Sequence, residues 1–190
     1  MQYVILGLLQ LGGAQTIYLL NKAFEAGVGL FYRASLGALR TSLQALLAKG
    51  HVTVETVTDG GRTKKLYSPT EAGLAAFHAW MRPPITESDL ETAALSRLFF
   101  LALVPTAAER AAILAEVVAR GEADLAQLQE TDGMLTGLAD TIPPEYAGVL
   151  HYQHATLRYG LATTGVGLEH FRALLVEERA AVAREAAATQ

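Results

Sequence analysis

The apolar residues of this chain keep a helical spacing as far as Gly50, then alternate with polar residues through His51-Val52-Thr53-Val54-Glu55-Thr56-Val57, and later return to helical spacing. One switch of period from 3.6 to 2 and back confines the β-structure to a single short episode inside a helical protein. The Asp59-Gly60-Gly61 turn and the run Thr63-Lys64-Lys65-Leu66-Tyr67-Ser68 supply the partner strand, so the episode reads as one hairpin with a basic tip.

Three helices precede the hairpin. Tyr3 to Leu11 is apolar on nearly every side and stops at Gly12-Gly13. Thr16 to Ala26 carries Ile17, Leu20 and Phe24 on one stripe and stops at Gly27. Ser35 has the chemistry of an N-cap for a third helix whose apolar positions are Leu36, Leu39, Leu43, Leu46 and Leu47. After the hairpin, Pro69-Thr70 opens a helix from Glu71 to Met81, and Pro83-Pro84 ends it. This order, α-α-α-β-β-α, is that of a winged helix-turn-helix, in which the third helix enters the DNA major groove and the hairpin touches the flanking backbone. Burying Leu39, Leu43 and Leu46 leaves Gly37, Ala38, Arg40, Thr41 and Gln44 outward; arginine takes guanine edges and glutamine adenine edges bidentately.

Charge is divided along the chain in the same sense. Up to Arg82 there are eight basic and four acidic residues; beyond it, seven basic and fifteen acidic, so a basic first half lies behind a net charge of −4. Arg33, Arg40, Arg62, Lys64 and Lys65 carry much of that excess. Pro83-Pro84 marks the expected boundary between domains at residues 1–82 and 85–190.

The second half reads as helical throughout. Thr86 or Ser88 caps a helix to about Val104, within which Leu98-Phe99-Phe100-Leu101 is apolar on all sides and must be covered. From Pro105 a heptad-like seam runs through Leu114, Val118, Gly121, Leu125, Leu128 and Leu135, interrupted by Asp132. After Pro143-Pro144 a second seam runs through Leu150, His154, Leu157, Leu161, Thr164, Leu168, Phe171, Leu175 and Val182. Two such helices cannot cover their own seams, so they are expected to pack antiparallel and against a second subunit. Burial on this seam would keep His154 neutral, unless a carboxylate such as Asp132 faces it. Trp80, Phe99, Phe100, Tyr146, Tyr152, His154 and Tyr159 either form packed interdomain and dimer core or line an effector pocket; aromatic residues at helical spacing favour core.

Other functions find little support. With no cysteine, disulfides, thiol nucleophiles and Fe–S clusters are excluded, and a reducing cytoplasmic location fits. Val4–Leu9 and Leu98–Val104, the most apolar stretches, are far shorter than the roughly 18 residues of a membrane span, and the N-terminus lacks the cleavage pattern of a signal peptide. Gly27-Val28-Gly29 and Gly165-Val166-Gly167 lack the third glycine of a dinucleotide fingerprint, and Gly60-Gly61-Arg62-Thr63-Lys64 lacks the P-loop ending. His151 and His154, with Glu169 and His170 farther along, are more economically structural than metal ligands. No catalytic grouping, metal or cofactor is therefore expected. A winged helix used only for protein–protein contact remains as the alternative.

The blocks Ile5-Leu6-Gly7-Leu8-Leu9, Ser35-Leu36-Gly37-Ala38-Leu39, Leu43-Gln44-Ala45-Leu46 through Gly50, and above all Arg62 with Leu66-Tyr67-Ser68-Pro69-Thr70-Glu71-Ala72-Gly73, resemble the PadR family of bacterial transcriptional regulators. The helical remainder is similar in plan to the subgroup with an extended C-terminal dimerisation domain. The resemblance implies a homodimeric DNA-binding regulator, commonly a repressor, on a pseudo-palindromic operator in double-stranded DNA, cytoplasmic and nucleoid-associated when bound, and released by a small molecule or another signal. It places DNA contacts at Tyr32, Arg33, Ser35, Gly37, Ala38, Arg40, Thr41, Gln44, Arg62, Lys64 and Lys65. Where the family has a His-Gly-Tyr-like element this chain has Gln15-Thr16-Ile17, and Arg40-Thr41 replace a Tyr-Pro in the third helix, so operator sequence does not carry over.

Overall fold

The computed structural model describes residues 1–59, 61–138 and 141–188. Among the described residues, seven α-helices and one hairpin follow in the order α1 (Gln2–Gly12), α2 (Ile17–Ala26), α3 (Leu36–Ala48), β1 (Val52–Asp59), β2 (Arg62–Pro69), α4 (Glu71–Met81), α5 (Leu90–Phe99), α6 (Ala107–Leu138) and α7 (Ala147–Ala188), with short 3₁₀ turns at Val28–Leu30, Leu101–Leu103 and Pro144–Tyr146. The chain divides into two compact units, one of residues 1–83 with 92–104, the other of residues 84–91 with 105–190.

In the first unit the N-cap expected at Ser35 is formed, and Thr16 and Thr70 cap their helices in the same way. Thr16 Oγ1 accepts from Leu19 N–H, Ser35 Oγ from Ala38 N–H, and Thr70 Oγ1 from Gly73 N–H, each satisfying one orphan donor of a first turn. Val4, Ile5, Leu6, Leu8 and Leu9 of α1 are buried, as are Leu20 and Phe24 of α2 and Leu39, Leu43 and Leu46 of α3. The two strands pair antiparallel, with Val54 opposite Tyr67 and Val57 opposite Lys64. The turn expected at Asp59-Gly60-Gly61 is represented by Gly61, which takes φ +76°; Gly60 lies outside the described residues. Gln15 adds a bridge the sequence did not announce, exchanging backbone hydrogen bonds of 3.0 and 2.8 Å with Tyr67 and so tying the entry to α2 onto the hairpin.

Residues 92–104 lie with the first unit rather than with the helices beyond the double proline. Phe100 explains why: its ring covers Gly7 of α1, where any Cβ would come within 2.7 Å of it, and meets Phe77 edge-on at 5.7 Å. Of the run Leu98–Leu101 expected to be covered, Phe100 (1% exposed, held between α1 and α4) and Leu101 are buried, whereas Leu98 is half-buried and Phe99 is exposed; burial of one such large side chain stabilises by roughly 1.5–3 kcal/mol. The helix anticipated from Thr86 or Ser88 to Val104 is correspondingly shorter, beginning at Leu90 and giving way to the 3₁₀ turn after Phe99.

In the second unit α6 and α7 run antiparallel, as their cross-links show: Arg110 meets Glu178 at 2.9 Å, Arg172 meets Glu122 at 2.7 Å, and Leu168 packs on Gly121. Leu114, Val118 and Gly121 are buried near Leu168, Phe171 and Leu175, whereas Leu125, Leu128, Leu135, Leu150, Leu157 and Leu161 are only half-buried. His154 is a correction to the apolar reading of its seam. It pairs with Asp132 across the helices, Nε2 to Oδ1 at 2.7 Å, and its side chain is 32% exposed.

Candidate nucleic-acid interface

Burial of Leu39, Leu43 and Leu46 turns the other side of α3 to solvent. Gly37, Ala38, Arg40, Thr41 and Gln44 are all exposed there, as are Arg33 and Ser35 just before the helix. Their polar groups are not equally free. The Ser35 hydroxyl caps the helix, and Thr41 Oγ1 donates to the Gly37 carbonyl at 3.1 Å, a local bond typical of threonine in helices. Arg40 and Gln44, one turn apart, carry the uncommitted polar ends. Tyr32 is half-buried, its hydroxyl accepting from the Met1 amino group at 3.1 Å and its ring edge-on to Phe24.

On the hairpin, Arg62, Lys64 and Lys65 are exposed. Strand alternation places Arg62 and Lys64 on one face, and Lys65 on the other with Val54 and Tyr67. The hairpin is anchored to the core through the Pro69-to-Gly73 block. Thr70 N–H donates to the His51 carbonyl at 3.0 Å and Thr70 Oγ1 to the Gly50 carbonyl at 2.7 Å. Gly73 lets α4 approach so closely that a Cβ there would lie 2.0 Å from the His51 oxygen. The motif thus fixes the wing relative to α3 by backbone contact.

The residues considered for an effector pocket lie in separate surroundings within their own units. Trp80 stacks on Tyr3 at 5.3 Å and faces the guanidinium of Arg97, a buried cation that donates to the Pro83 carbonyl. Phe99 contacts Phe31 and Phe100. Tyr146, Tyr152 and Tyr159 stand exposed on or beside α7. Around the His154–Asp132 pair, an open groove of about 540 Å³ is lined by Asp132, His154, Arg158, Leu161 and Ala162. Sequence reading included His154 but missed Arg158 and Leu161 as neighbours of a cavity; their i+4 and i+7 spacing from His154 was the available signal. Among the described residues no three metal-ligating side chains come together, and no helix is long and apolar enough to cross a membrane.

A capped helix presenting free arginine and glutamine ends, with a basic hairpin built against the same small core, defines a winged helix-turn-helix; the chain couples it to a long antiparallel helix pair. The chain is similar to Bacillus subtilis PadR in complex with operator DNA (22% identity, 93% of this chain and 98% of that one, TM-score 0.43). It is similar as well to the PadR-like transcriptional regulator BC1756 from Bacillus cereus (23%, 90% and 94%, TM-score 0.41) and to B. subtilis PadR in complex with p-coumaric acid (22%, 94% and 94%, TM-score 0.40). No family model and no curated protein sequence matches the chain.

Proposed function

We propose that this chain is a PadR-like transcriptional regulator that binds a pseudo-palindromic operator in double-stranded DNA as a homodimer, represses, and releases DNA when a small molecule binds. The observation that carries the reading is the exposed face of α3, where Arg40 and Gln44 project beside a wing bearing Arg62, Lys64 and Lys65. Guanidinium and amide ends on a helix read base edges, and flanking lysines and arginines neutralise phosphates. Arg33 and the backbone at the Ser35 cap, with Gly37, Ala38 and Thr41, supply the close approach around them. Tyr32 positions the loop before α3.

Dimerisation is supported by a second apolar stripe on α7. Tyr152, Tyr159 and Val166 recur every seven residues and are 69–73% exposed, a cost that a two-fold partner removes. The effector is a small molecule, for which the open groove of about 540 Å³ beside His154, lined also by Asp132, Arg158, Leu161 and Ala162, is the candidate site. No catalytic role is assigned.

Titration of the full chain with duplex DNA at several salt concentrations tests the reading. Affinity should fall steeply and log-linearly with salt as counterions are released. Failure to bind any duplex at low salt would remove the DNA-binding function and leave a protein-interaction module.

A further inference from the structure

Leu36 is the first residue of α3 and is 41% exposed, although it shares the helical spacing of the buried Leu39, Leu43 and Leu46. It stands one turn before Arg40 and two turns before Gln44, so the three form a single outward stripe at i, i+4 and i+8. The short polar side chains on the same side are occupied: the Ser35 hydroxyl accepts the cap hydrogen bond, and the Thr41 hydroxyl proton is donated to the Gly37 carbonyl. What this face offers to a groove is therefore an apolar end, a guanidinium and a primary amide, in that order.

We propose that Leu36 is a base-reading residue that packs on a thymine 5-methyl group, next to a guanine read by Arg40 and an adenine read by Gln44. This assignment rests on the DNA-binding reading above. A thymine methyl is the one apolar feature of the major-groove edges and takes apolar side chains. Each step of four residues advances about 6 Å along a helix, against about 3.4 Å per base step. The three contacts accordingly fall about two base pairs apart, across roughly five base pairs of each half-site. An exposed leucine at the N-terminal end of the helix, the end that meets base edges in such motifs, acquires a reason it otherwise lacks.

The test starts from half-sites selected by the full chain out of a randomised duplex library. Each thymine of the selected half-site is then replaced by deoxyuridine, which removes only the methyl group. Wild type should lose about fourfold in affinity at one thymine position and nowhere else, the equivalent of one buried methyl. Leu36→Ala should bind the thymine duplex about as weakly as wild type binds the uracil one, ignore the exchange, keep the guanine and adenine preferences, and retain its melting temperature because the position is exposed. Indifference of wild type to every uracil exchange, or persistence of the same sensitivity in Leu36→Ala, overturns the assignment while leaving DNA binding intact. A library that yields no preferred sequence overturns the DNA-reading function and the role of Leu36 with it.

Discussion

Asp132 of α6 and His154 of α7 share a hydrogen bond of 2.7 Å, so the one acidic interruption of the first seam faces the one basic interruption of the second. With the carboxylate accepting, Nε2 carries the hydrogen. The pair sits in the half of the helix hairpin whose leucines are only half-buried, where a specific polar contact sets the register that apolar packing leaves loose. A double-mutant cycle of Asp132→Ala and His154→Ala, read by urea unfolding, should give a coupling of about 0.5–1 kcal/mol, because both side chains are about a third exposed and partly screened. Coupling indistinguishable from zero would show the contact does not hold the helices.

Residues 92–104 complete the core of the winged unit, so a fragment of residues 1–104 should fold cooperatively and one of residues 1–82 should not. The shorter fragment uncovers Gly7 and Phe77 by losing Phe100, and loss of a buried phenylalanine costs about 3–5 kcal/mol. Thermal unfolding followed by circular dichroism decides; equal melting temperatures would contradict the placement of Phe100.

Gly73→Ala should destabilise the winged unit by about 1–3 kcal/mol, the usual cost of overpacking. The added methyl meets the backbone oxygen of His51, which is held in place by Thr70 and has no rotamer to yield. Because the same contact anchors the hairpin, DNA affinity should fall at temperatures well below the melting transition. A fully stable Gly73→Ala protein would mean that α4 and β1 approach less closely.

Replacing Tyr152 and Tyr159 together with glutamate should convert a dimer into a monomer in sedimentation at micromolar concentration, while helix content remains near that of wild type. Both positions are more than 70% exposed, so the change charges a surface and leaves the α6–α7 contact untouched. Persistence of the dimer would move the subunit interface off this stripe.

Arg40→Ala should relax sequence preference, at about 1–3 kcal/mol for the base it reads, whereas Arg62→Ala or Lys64→Ala should weaken binding to all sequences alike and reduce the salt slope by about one. Operator variants titrated at several salt concentrations separate the two behaviours. A uniform loss for Arg40→Ala would place α3 differently on DNA.

Much of this architecture was written in local sequence. The order of three helices, a hairpin and a fourth helix follows from apolar periodicity, and the stops at Gly12, Gly27 and Gly50 and the caps at Thr16, Ser35 and Thr70 follow from backbone chemistry within a few residues. Periodicity states which face of an element is apolar; it does not state what covers that face. Tertiary structure alone decided that Phe100 closes over Gly7, that Gln15 bridges to Tyr67, and that Asp132 meets His154. It likewise decided that Leu36, one leucine among five at helical spacing, faces solvent. Those outcomes depend on partners distant along the chain, whose selection is made by the packing of whole elements against one another rather than by the preferences of any single segment.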